Sequence, residues 1–121
     1  MAEWGECFTY RELVYIGHSN AITLIPLTDS EAGTRMDLSG VTRIDVCIDA
    51  TAGSSDTLPN EISWSERMVD DVLTWVIDIQ VGLIPGIVAG NAAMRVVVVD
   101  AENTEGLVIT HDLALNIIAA C

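Results

Sequence analysis

Lysine is absent from this 121-residue chain, and its five basic residues are all arginine, set against 18 acidic ones for a formal net charge of −13 at pH 7. Nucleic acid and anionic bilayers both require a cationic footprint, so neither is expected as a main partner. Cysteine is scarce: Cys7, Cys47 and Cys121 are odd in number, widely spaced and free of any C-x-x-C pair. That excludes a disulfide framework and a zinc knuckle, and it suits thiols kept reduced. No long apolar run occurs either. The stretches around Val81–Ala89 and Met94–Val99 are too short to span a bilayer as a helix. The start, Met1-Ala2-Glu3-Trp4-Gly5-Glu6, has no basic segment followed by an apolar one, so secretion by signal peptide is not expected and folding in a cytoplasm is.

What is present is apolar mass. Half the residues are hydrophobic and the mean hydropathy is +0.42 in a chain of 13.0 kDa. Surface scaling gives a folded monomer about 6,300 Å² of accessible area against about 19,000 Å² for the extended chain. One core forms without staples, and some apolar surface is left over for another subunit to cover.

The periodicity is two. In Val41–Ala50, Ile44, Val46 and Ile48 alternate with Asp45, Cys47 and Asp49, and in Thr74–Ile79, Trp75, Ile77 and Ile79 share one face. Leu113, Leu115 and Ile117 repeat the pattern. Met94–Val99 is apolar on both faces apart from Arg95, which marks a central or interface strand and makes Val97 and Val99 candidate contacts. Glu12–Gly17 and Ala21–Thr28 flank Gly17-His18-Ser19-Asn20 as a predicted hairpin, with Pro26 marking an edge strand or bulge. Ile62–Ser65 is a short strand, and Ser65–Leu73 is ambiguous, with room for one helical turn. Short strands punctuated by turns about every ten residues, with no good helix, point to a sandwich or barrel. The organisation expected is an N-terminal arm, residues 1–11, and a single β-sandwich domain, residues 12–121.

No constellation for catalysis assembles. His18 and His111 stand far apart, and there is no Gly-x-Ser-x-Gly elbow, glycine-rich nucleotide loop or Asp-x-Asp-x-Asp-Gly calcium loop. The acidic pairs Asp45 with Asp49, Asp70 with Asp71, and Asp100 with Glu102 read as a solvated face. Trp64 and Trp75 read as core plugs. Trp4, Phe8, Tyr10 and Tyr15 crowd the N-terminal segment, where an amphipathic aromatic arm supplies contact hot spots for a neighbouring subunit. No catalytic residue, metal ligand or cofactor is assigned.

The C-terminal half has an order of features worth naming. Ile62-Ser63-Trp64 is followed by Thr74–Ile79, a Pro85-Gly86…Gly90 turn, the run Met94-Arg95-Val96-Val97-Val98-Val99-Asp100, and Asn103-Thr104-Glu105-Gly106-Leu107-Val108. Over roughly residues 41–118 this resembles the small immunoglobulin-like domains of tailed-phage virion proteins, including the N-terminal module of upper baseplate proteins. It departs from them at Ala92–Met94, where an aromatic is usual, and at Ile109-Thr110, where a tryptophan is usual. The resemblance implies an all-β fold, an immunoglobulin-like antiparallel β-sandwich of about seven to eight strands. It also implies a non-catalytic virion structural protein, assembled in the host cytoplasm and binding other virion proteins and its own copies in the tail, baseplate or neck. A capsid decoration protein is the alternative within that class, and a calcium- or carbohydrate-binding β-sandwich module the alternative outside it.

Overall fold

A computed structural model of the chain describes residues 12–19, 21–29, 34–49, 51–110 and 113–119. The expected arm, residues 1–11, lies outside them. Eleven strands form among the described residues: β1 Glu12–Tyr15, β2 Ile22–Leu24, β3 Leu27–Asp29, β4 Thr34–Arg35, β5 Val41–Ile48, β6 Thr51–Ser54, β7 Ile62–Val69, β8 Val72–Ile79, β9 Gly90–Asp100, β10 Leu107–Val108 and β11 Leu113–Ile118. The one helical piece among the described residues is a single 3-10 turn, Val81–Leu83.

Two sheets face each other. One runs β1-β11-β9-β5-β6 with β10 also on β9; the other runs β2-β8-β7, and β3 pairs with β4 separately. Beside the hairpins β5–β6 and β7–β8, the sheets are built from pairs distant in sequence: β5 pairs with β9 and β2 with β8. Three strands with the second half of the chain's hairpin at their centre, opposed by a sheet with β9 and β5 at its centre, is the B-E-D and G-F-C-C′ arrangement of an immunoglobulin-like sandwich. The strand count exceeds the expected seven or eight because β3, β4 and β10 are fragments of two or three residues.

Alternation builds the core. Ile44, Val46 and Ile48 of β5, Met94, Val96 and Val98 of β9, and Leu115 and Ile117 of β11 point inward from one sheet; Ile22, Ile62, Ile77 and Ile79 meet them from the other. Ile44, Ile77, Ile79, Met94 and Leu115 are fully buried. Two irregularities carry their own compensation. Between β5 and β9 the register slips at Val41/Arg43, and the extra residue, Thr42, donates its hydroxyl to the Val99 carbonyl at 3.2 Å. Between β10 and β11 the strand buckles away from β9. There the Ile109 N–H donates to the Val96 carbonyl and the Val96 N–H to Thr110 Oγ1, so neither group of Val96 is left unpaired.

One sequence expectation is overturned and one ambiguity is resolved. Glu12–Gly17 and Ala21–Thr28 do not form a hairpin. β1 pairs in parallel with β11, β2 pairs with β8, and the chain crosses between sheets at Gly17–Ala21. Gly17, at φ 85°, donates its N–H to the Gly82 carbonyl at 2.8 Å, which anchors the crossing on the 3-10 turn instead of closing a hairpin. Ser65–Leu73 holds no helical turn. It is the centre of a β7–β8 hairpin whose register runs unbroken from Ile62↔Ile79 to Val69↔Val72. The hydrophobic alternation of β8 overrides the short helical signal. As expected of a run marked by Pro26, β2 is an edge strand of its sheet; the proline itself falls between β2 and β3, where its carbonyl accepts the Met36 N–H at 2.9 Å.

Candidate functional site

The ends of β2 and β9 and the starts of β5 and β8 lie at one end of the sandwich, because Leu24 pairs with Ile77 and Val41 with Asp100. Three connections therefore meet there: residues 25–40, the turn 70–71 and the turn 101–106. Arg35 ties the first to the second, donating to the Val69 carbonyl and to Thr74 Oγ1 and standing 3.9 Å from Asp70. Asp37 reaches Ser39 and Trp75; the Ser39 N–H, 2.9 Å from its Oδ1, is the main reason its carboxyl titrates below the ordinary range.

This end carries many of the exposed apolar side chains. The β7–β8 hairpin shows Met68 at 65%, Leu73 at 59% and Val72 at 51%. Ile25 and Leu27 are exposed on the first connection, and Leu107 and Val108 on β10. These seven are most of the eleven large hydrophobics exposed among the described residues. The same connections carry carboxylates: Asp37, Asp71, Glu102 and Glu105 are exposed, and the Asp70 side chain is 88% exposed. Asp70 and Asp71, at φ 51° and 63°, close a two-residue turn with both central residues left-handed, the conformation that matches the twist of a hairpin. Apolar groups on a rigid hairpin with charges on the same connections suit contact with another protein surface.

The residues singled out from sequence fall as follows. Tyr15 is 39% exposed on β1, beside Leu13 at 54%. Val97 and Val99 do not present a free surface: Val99 is buried, Val97 is half-buried, and the backbone at Gly106 lies so close that a Cβ there would meet Val97 Cγ1 at 2.4 Å. The chain's own β9–β10 hairpin covers what a partner was expected to cover. Trp4, Phe8 and Tyr10 lie outside the described residues, as do Cys7, His111 and Cys121. Cys47 is a free, exposed thiol, and His18 is exposed in the crossing. Trp64 and Trp75 pack against the core cluster, half-buried.

The acidic pairs have structural partners. Asp45 holds Arg43 at 3.1 Å, Asp49 accepts the Ala93 N–H, and Asp100 Oδ1 accepts three donors from Glu102 and Asn103. Asp45 also lines an open concavity of about 430 Å³ with Cys47, Ser54, Thr57, Leu58 and Pro85. Its hydroxyls serve local turns, Ser54 Oγ accepting the Asp56 N–H and Thr57 donating to the Ser54 carbonyl. The other titratable group lining it is the free thiol of Cys47, and among the described residues no histidine or second carboxylate lines it. Among the described residues no three metal-ligating side chains converge.

Sequence reasoning missed the hairpin tip. Its signal was two adjacent aspartates between the apolar pairs Met68-Val69 and Val72-Leu73, a turn spelled without glycine.

No family model and no curated protein matches this chain. A solved structure of Clostridium thermocellum CbhA fibronectin(III)-like modules aligns over 93% of this chain and 94% of that one at 12% identity, with a TM-score of 0.37. A likeness at that level carries no argument; the fold assignment rests on strand order.

Proposed function

We propose that the chain is a non-catalytic assembly module of a tailed-phage virion, and that it binds a neighbouring protein through the loop end of its sandwich. The observation that carries the binding reading is that, among the described residues, seven of the eleven exposed large hydrophobics lie on the connections at that end or on the strand residues next to them. Exposed patches of this kind mark interaction sites in folded domains. The virion reading draws on the feature order of residues 41–118, and a β-sandwich with a free thiol at Cys47 is consistent with it.

The test is the composition of gradient-purified particles from cells that make this chain. A virion component co-sediments with particles at fixed stoichiometry and withstands a salt wash. Recovery with heads rather than tails would identify capsid decoration, and recovery in the soluble fraction alone would refute the reading. Serine at Met68 and Leu73 together should release the chain from particles while leaving its fold intact, since both side chains are more than half exposed.

A further inference from the structure

Among the described residues, three of the four edge strands that end the two main sheets are short: β6 and β1 have four residues each and β2 has three. The fourth, β7, has eight residues in unbroken register with β8, without proline or bulge. Proteins blunt such edges because their free backbone groups template pairing with another chain. Which groups are free follows from one hydrogen bond. The Gln80 N–H donates to the Glu61 carbonyl, so in an antiparallel ladder Ser63, Ser65, Arg67 and Val69 face β8, and Ile62, Trp64, Glu66 and Met68 face away. The Ile62 N–H confirms the direction by bonding outward to the Leu58 carbonyl at 3.0 Å. No described residue pairs with the N–H and C=O groups of Trp64, Glu66 and Met68.

We infer that β7 is a self-pairing edge: two copies join β7 to β7 antiparallel about a two-fold axis at Ser65, making one six-stranded sheet. The register is chosen by charge. An axis at Glu66 sets Glu66 against its own copy, and one at Arg67 does the same for arginine. An axis at Trp64 leaves Met68 opposite Asn60 in the preceding turn. With the axis at Ser65, Trp64 pairs with Glu66 of the second copy, Ile62 with Met68, and Ser63 with Arg67. The exposed Met68 is then covered, and Arg67 lies diagonally across from Glu61, within reach of cross-strand attraction. On the order of six hydrogen bonds form, because Ile62 N–H is already taken. The two Glu66 carboxylates lie diagonally near the axis, and each copy carries a net charge of −13, so the pairing strengthens with salt. This inference does not rest on the virion reading.

The axis places Ser65 opposite itself in a non-hydrogen-bonded position, with Cα atoms about 4.5 Å apart, inside the range that a disulfide bridges. The experiment uses the full chain with all three native cysteines changed to serine and Ser65→Cys added, under mild oxidation at low and high salt. The Ser63→Cys chain serves as the comparison. The expected result is a disulfide dimer of Ser65→Cys, enriched about tenfold over Ser63→Cys and increasing with salt. Equal cross-linking of the two, or none at high salt, overturns the inference. Glu66→Pro provides the second measurement, since its outward N–H is not used by β8. Light scattering should find this variant monomeric at salt where the parent is dimeric, with an unchanged melt; a persistent dimer overturns the inference. A chain that cross-links at Ser65 but is absent from particles sinks the virion reading alone.

Discussion

Gly82→Ala is the substitution on which the anchoring of β1 can be judged most sharply. Gly82 is buried in the 3-10 turn, and a Cβ built on it would lie 2.3 Å from the Tyr15 carbonyl oxygen and 2.7 Å from that of His18. Both oxygens are backbone, so no rotamer change relieves the contact. The crossing must retreat by roughly 1 Å, which is overpacking of the kind that costs about 1–3 kcal/mol. The same retreat breaks the 2.8 Å bond from Gly17 N–H to the Gly82 carbonyl, a further loss of about 1 kcal/mol. The total is about 2–4 kcal/mol, a large part of the ~5–15 kcal/mol typical of a domain. With an unfolding entropy of about 0.25 kcal/mol/K for a chain this long, the melting temperature should fall by roughly 8–16 °C. Calorimetry measures that. Hydrogen exchange should also show protection lost first at Leu13, Val14 and Tyr15, which reach the rest of the sheet through parallel pairing with β11. Gly40→Ala is the control, because nothing lies within 4 Å of a Cβ there. A Gly82→Ala protein as stable as Gly40→Ala, or one destabilised with β1 protection intact, would refute the reasoning.

Two further expectations concern the loop end. Asp71→Gly relieves a left-handed residue in the β7–β8 turn; after the added freedom of the unfolded chain is counted, stability should rise by about 0.5 kcal/mol, visible as a melt roughly 2 °C higher, and a lower melt would mean that the aspartate is itself stabilising. Asp37 titrates below its ordinary value of 3.8, chiefly through the Ser39 N–H, so its contribution is present above that pH and is lost as pH falls through the lower folded-state value. Asp37→Asn should therefore flatten the acid limb of the stability curve below pH 3.8. An acid limb identical to the parent's would show that Ser39 does not favour the ionised form in the folded state.

The strands that form the sandwich's interior were legible because their alternation is strong and their inward residues are almost all β-branched or leucine: Ile44, Val46 and Ile48, or Leu115 and Ile117, admit one assignment of faces. What alternation cannot carry is pairing. Glu12–Gly17 and Ala21–Thr28 look like a hairpin because the turn-like Gly17-His18-Ser19-Asn20 separates them. Whether such a turn closes a hairpin or crosses between sheets depends on a carbonyl 65 residues away, at Gly82. The same holds for Val97 and Val99. Two-sided apolarity announces that something covers the outer face of β9, and sequence does not distinguish a partner from the chain's own next hairpin. Gly106 decides it, since only a residue without a side chain lets that backbone settle on Val97. The hairpin tip failed for the opposite reason. Asp70-Asp71 is a poor turn by composition, its two left-handed aspartates strained at a cost of about 1 kcal/mol or more. A two-residue hairpin loop nevertheless demands left-handed backbone at both central positions, and the unbroken register from Ile62↔Ile79 to Val69↔Val72 imposes that demand on Asp70 and Asp71, so the turn is set by the pairing of the strands on either side and not by its own composition.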